Sequence, residues 1–182
     1  TEFGLFARGL LEEPIRHEPL HFNEDAHFSA AVDQLLSMRR ALLSSDDTAL
    51  RLTGCSGVLM PPPSLGRLCS LTVLHFEDCT QLRSLPHEIG ELVQLLELRA
   101  VRCPALVAMP DATCKLRKLE LMELCECTRL GALPCEIGAL GALRHLGLSG
   151  CTRLVALPPS CARLEALQSL HLKGCHSLLR LP

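Results

Sequence analysis

Apolar and polar positions along this chain repeat on a register of about 24 residues. From Leu68 onward each unit reads L-x-x-L-x-x-L-x-L-x-x-C-x-x-L-x-x-L-P-x-x-I-G-x. The first leucine recurs as Leu68, Leu92, Leu116, Leu140 and Leu164, the second as Leu71, Leu95, Leu119, Leu143 and Leu167. The next apolar position holds Leu74, Leu98, Met122, Leu146 and Leu170, and its partner two residues on holds Phe76, Ala100, Leu124, Leu148 and Leu172. A degraded earlier unit keeps the frame through Leu50, Leu52, Cys55, Val58, Pro62, Leu65 and Gly66. Six strands are therefore expected over residues 48–182, the last unit being cut short.

The x-L-x-L-x piece has period two, which predicts a short strand with its leucines turned inward. Pro86, Pro110, Pro134 and Pro158 follow an apolar residue that must stay extended. Each proline then suits the first turn of a short helix, with Glu88 or Glu136 near its positive end. Gly90 and Gly138 are expected to supply the left-handed residue that closes that helix. One such unit cannot bury its leucines, but stacked units can. The pattern thus predicts an α/β repeat solenoid: a curved parallel sheet on the concave side and short helical or 3-10 segments outside. Ahead of the stack, residues 25–44 place Phe28, Val32, Leu35, Leu36, Leu42 and Leu43 at helical spacing. Residues 23–47 accordingly read as an N-terminal capping helix, with a partner-binding or dimerising helix as the other reading. Residues 1–22 carry Pro14, Pro19 and many charges and read as a loosely attached leader. Thr1-Glu2-Phe3 looks like a cloning remnant, and the stop at Leu181-Pro182 in mid-pattern suggests a piece of a longer protein.

Composition narrows the function. Apolar residues make up 48% of the 182, yet aromatics only 3%, with no Trp or Tyr. The net charge of −2 comes from interspersed acids and bases, so no basic face with stacking aromatics is evident for nucleic acid. No apolar run reaches the length of a membrane span without a charge or a proline. Of the eleven cysteines, Cys55, Cys79, Cys103, Cys127, Cys151 and Cys175 lie one per repeat. A buried column of small apolar thiols explains that spacing without chemistry. Free thiols in such number, with no N-glycosylation acceptor after Asn23, point to a reducing intracellular compartment, the cytoplasm.

The consensus seen over residues 71–92 and 143–158, with segments such as Leu146-Gly147-Leu148-Ser149-Gly150-Cys151, resembles a class of leucine-rich repeat. It is similar to the repeats of intracellular plant immune receptors and of bacterial effector ubiquitin ligases delivered into host cells. The resemblance covers about residues 48–182. It implies the leucine-rich-repeat fold and a role in recognising a partner, while enzymatic or switch domains lie elsewhere in those families.

The residues between inward leucines face the concave side, which such a stack leaves uncovered. One column is Ala49, Val73, Glu97, Leu121, His145 and Ser169; the next is Arg51, His75, Arg99, Glu123, Gly147 and His171. Two further columns run Thr53, Glu77, Val101, Cys125, Ser149, Lys173 and Gly54, Asp78, Arg102, Glu126, Gly150, Gly174. Charges alternate by repeat, so neighbouring strands set opposite charges side by side. The candidate partner-binding residues are His75, Glu77, Asp78, Glu97, Arg99, Arg102, Glu123, Glu126, His145, His171 and Lys173. A solvated, self-neutralising surface would show the same alternation. The expected partner is a protein or peptide, with no cofactor, metal, nucleic acid or membrane. The chain is expected to be a monomer, self-association through an uncapped end being the other outcome.

Catalysis is not expected of this chain. Cys125-Glu126-Cys127 places its two thiols on opposite faces of a strand, which does not make a zinc site. Cys125 lacks the oriented base a nucleophile needs, and a nearby carboxylate would raise its pKa. Cys135 reads as outer-face, and Cys69, Cys114 and Cys161 as partly buried filler. His75, His145 and His171 stand too far apart for ligands and read as surface residues. Gly54, Gly150 and Gly174 read as turn residues with positive φ. Two function classes remain: a recognition module, or the substrate-binding portion of a larger enzyme such as an effector-type ubiquitin ligase. A structural spacer is a weaker third.

Overall fold

The computed structural model describes residues 48–55 and 57–182; the expected capping helix and leader lie outside them. Six strands follow one another in a single parallel sheet: β1 (Ala49–Thr53), β2 (Val73–Glu77), β3 (Glu97–Val101), β4 (Leu121–Glu123), β5 (His145–Gly147) and β6 (Ser169–His171). Sheet order is chain order, and the register never slips: Leu74 faces Leu50 and Leu98, and Leu146 faces Met122 and Leu170. Backbone bonds extend the ladder past the strands, since Leu96 N–H donates to Thr72 O and Asp78 N–H to Val101 O. Five 3-10 helices line the outer side: η1 (Pro63–Arg67), η2 (His87–Glu91), η3 (Asp111–Lys115), η4 (Ile137–Ala139) and η5 (Pro159–Arg163).

The leucine columns fill the space between sheet and 3-10 helices. Leu74, Leu98, Leu119, Leu143 and Leu154 are buried to 1% exposure or less. Each such side chain contributes about 1.5–3 kcal/mol by leaving water. Within one column a large residue sits beside a small one: Phe76 and Ala100 are register partners on adjacent strands, both buried. A large residue beside a small one conserves volume within the stack.

Two expectations about the outer turns need correction. Pro62, Pro86, Pro110 and Pro158 stand as extended N-cap residues just before the helices, rather than inside their first turn. Gly90 and Gly138 are not left-handed residues; among the described residues, positive φ among glycines is confined to Gly54, Gly150 and Gly174. Their reason is space. A Cβ on Gly90 would lie 2.8 Å from Ala112 O, and one on Gly138 would lie 2.1 Å from Ser160 O. The next repeat's backbone passes directly over these α-carbons.

Candidate functional site

Among the described residues no other element covers the inner face of the sheet, and its side chains form a network across strands. Arg99 on β3 sits between two acids, 3.1 Å from Glu123 on β4 and 3.7 Å from Glu97 on its own strand. Glu97 also meets His75 Nε2 on β2 at 3.3 Å. His75 is therefore not the free surface residue the sequence suggests; its side chain is only 17% exposed. Burial, with Arg99 nearby, lowers its pKa against the pull of Glu97. His145 Nδ1 lies 2.7 Å from Ser169 Oγ, while His171 and Lys173 are exposed.

A second row runs along the ends of the strands. Arg102 donates from Nε to Asp78 Oδ1 at 2.7 Å and also pairs with Glu77. The guanidinium holds the Asp78 carboxyl below its usual range. Asp78, Arg102 and Glu126 have φ of 55°, 52° and 59°, so three charged residues take the left-handed backbone that Gly54, Gly150 and Gly174 take in the other repeats. They stand in the turn beyond β2, β3 and β4 rather than on the strands. The sequence shows this only through the three glycines that share their column. On β5 one face position carries no side chain: Gly147 is buried beneath Glu123 and Cys125, and a Cβ there would meet Glu123 Cγ at 3.1 Å and Cys125 Sγ at 3.2 Å.

No protein-family model matches the chain, and no curated protein matches it. Solved structures do. The chain is similar to the leucine-rich repeat domain of the type III effector XopL, with a TM-score of 0.53 and 18% identity over 99% of this chain and 88% of that one. The fold is that of a leucine-rich repeat protein. A leucine-rich repeat protein of Leptospira interrogans is similar over 94% of this chain at 19% identity and a TM-score of 0.53. The chain spans about half, 51%, of the length of that protein.

Within the leucine-rich repeat stack the candidate residues divide in two. Glu97, Arg99, His75 and Glu123 form one linked cluster, and Glu77, Asp78 and Arg102 form another, while Glu126, His145, His171 and Lys173 belong to neither. The cysteines divide too. Cys127 Sγ donates to Ala100 O at 3.1 Å inside the core, whereas the half-buried Cys125 Sγ lies 3.8 Å from Glu123 Oε1 on the concave face. Burial first, then the carboxylates Glu123 and Glu126, raises the Cys125 pKa, and a thiol held protonated is a poor nucleophile. No disulfide joins any of the eleven cysteines in this structure. Cys69 is exposed rather than partly buried, and Cys135 is exposed as expected of the outer face. Among the described residues no group of three or more His, Cys, Asp or Glu could hold a metal ion, and no helix is long and apolar enough to cross a membrane.

Proposed function

We propose that this chain is a recognition module that binds a partner protein through the concave face, and that it has no catalytic role of its own. The observation that carries the reading is the sheet face itself. Among the described residues it is covered by no other element, and it bears two charge clusters, one built on Arg99 and one on Arg102. Arginine forks preset by carboxylates keep their geometry and lose little rotamer freedom on binding. With no Tyr or Trp in the chain, the aromatic anchors typical of interfaces must come from the partner. The column of buried thiols fits a protein working in a reducing, intracellular compartment.

The test is affinity capture from source-cell lysate, quantified by mass spectrometry. Wild type is compared with a variant carrying Arg99→Glu, Glu123→Arg, Arg102→Glu and Asp78→Arg. The swaps retain opposite charges across both pairs while inverting the outward pattern. A protein retained by wild type and lost by the swap supports the reading; equal retention by both overturns it. A second reading draws on the similarity to a type III effector's repeat domain. Here the repeats are the substrate-recognition portion of a larger enzyme such as an effector-type ubiquitin ligase. It is tested by assaying ubiquitin transfer with the full-length protein and checking whether the same swap abolishes substrate modification.

A further inference from the structure

The flank that follows the strands carries a second surface, separate from the concave face. It is made of residues 80–84, 104–108, 128–132, 152–156 and 176–180, the L-x-x piece of each unit and the two residues before it. These segments stack repeat on repeat: Val107 N–H donates to Arg83 O, Gly131 N–H to Val107 O and Leu179 N–H to Val155 O. Ala108 bridges Ala132, and Ala156 bridges Arg180, in parallel. The flank is one continuous strip.

Its charge is segregated. The whole chain has 20 acids against 18 Lys and Arg, yet these five segments contain no Asp or Glu. They contain Arg83, Arg129, Arg153 and Arg180, all exposed. None of the four forms an ion pair among the described residues, whereas Arg99, Arg102, Arg144 and Arg163 all do. Between them lie exposed aliphatic side chains: Val107 at 47% and Val155 at 49%.

We infer that this flank docks an acidic, aliphatic-bearing segment of a partner protein. Carboxylates of that segment pair with Arg129 and Arg153, and its aliphatic side chains cover Val107 and Val155. Charge complementarity fixes the sign of the partner, and four unpaired guanidiniums suit planar, bidentate carboxylates. The exposed aliphatics fix the second property, because a purely polar chain would leave them in water. An anionic lipid surface shares the charge, but peripheral membrane faces insert Trp, Phe or Leu, and this flank has no aromatic residue and only one exposed leucine. A nucleic acid shares the charge too, but stacking partners for bases are missing.

The experiment measures binding of a fluorescein-labelled peptide repeating Glu-Leu-Glu-Val by fluorescence anisotropy. Parallel arms use a Glu-Ser-Glu-Ser peptide, phosphatidylserine–phosphatidylcholine vesicles and a duplex oligonucleotide. The Glu-Leu-Glu-Val peptide should bind wild type, and about tenfold less tightly to Arg129→Glu/Arg153→Glu, with a salt-dependent difference. Val107→Ser/Val155→Ser should lose preference for that peptide over the Glu-Ser-Glu-Ser one. The concave swap Arg99→Glu/Glu123→Arg should bind the peptide like wild type, which separates this surface from the concave one. All substitutions fall on exposed or half-exposed side chains, and far-UV circular dichroism verifies the fold. The inference is overturned if wild type does not bind the peptide, if the arginine variant binds it equally well, or if the concave swap abolishes binding. Vesicles or duplex binding as tightly as the peptide would also overturn it.

Discussion

Gly138→Ala separates local preference from packing because the two predict opposite signs. In a helix or turn with negative φ, replacing glycine by alanine usually stabilises by about 0.5–1 kcal/mol through the unfolded chain. At position 138 the added Cβ would sit 2.1 Å from Ser160 O, 2.9 Å from Ser160 C and 3.1 Å from Arg163 Cβ. Backbone oxygen cannot swing aside as a side chain does, so η4 and η5 must separate by roughly an ångström to restore ordinary contact. The same movement stretches the bond that Gly138 N–H donates to Ser160 Oγ, now 3.3 Å. It also disturbs the bond that Ser160 Oγ donates to Cys135 O at 2.6 Å. Overpacking costs about 1–3 kcal/mol, and a weakened hydrogen bond about 1 kcal/mol more. The expected result is a net loss of about 2–3 kcal/mol, read as a lower urea midpoint by far-UV circular dichroism with the slope unchanged. Gly141→Ala is the control, since a Cβ there meets nothing within 4 Å; it should be neutral or slightly stabilising. If Gly138→Ala is as stable as wild type, close approach of the next repeat does not explain this glycine.

Thr113 occupies the column of Ile89 and Ile137, is fully buried, and its hydroxyl has no hydrogen-bond partner among the described residues. Thr113→Val should therefore stabilise by about 1–2 kcal/mol in urea unfolding, and a loss of stability would refute the reading. Cys127 and Cys151 are pushed up to about 12 by burial, whereas an unfolded thiol titrates near about 8.5. The folded value is the higher one, so their contribution is complete below about pH 8.5 and is lost as pH rises toward 12. The urea midpoint should fall across that interval, and less steeply in Cys127→Ala/Cys151→Ala than in wild type; equal slopes would refute it. Alkylation followed by mass spectrometry should modify Cys69 and Cys135 first, and the buried Cys55, Cys79, Cys103, Cys127 and Cys151 only on unfolding. Arg102→Ala should cost less than about 1 kcal/mol, because its ion pairs are solvent-exposed, and that cost should shrink further in salt.

The strand columns were legible because one face of each strand is buried, and burial enforces the same residue type every repeat. The same logic placed Cys127 inside and Cys125 outside from their parity alone. Legibility ended where a residue's reason lies in the adjacent unit. Gly90 and Gly138 look like helix stops along the sequence, but they are required by the backbone one repeat later. Asp78, Arg102 and Glu126 look like further face residues, because left-handed φ leaves no mark on a charged side chain. His75 looked exposed because its column is, while its ring is partly covered and held by Glu97 on the next strand. The flank arginines were missed for another reason. Their signal is the absence of acids across several segments, and columns examined one at a time do not show an absence.

The thiol column gives the solenoid a direction. Each Sγ donates to a carbonyl in the preceding unit: Cys79 to Leu52, Cys103 to Phe76, Cys127 to Ala100, Cys151 to Leu124 and Cys175 to Leu148. A unit added on the C-terminal side thus finds the carbonyl acceptor of its thiol already in place. A ribosome delivers this chain in that same order. Vectorial synthesis can seat each repeat on the one before it, so the array is suited to lengthening by duplication without redesigning the units already standing.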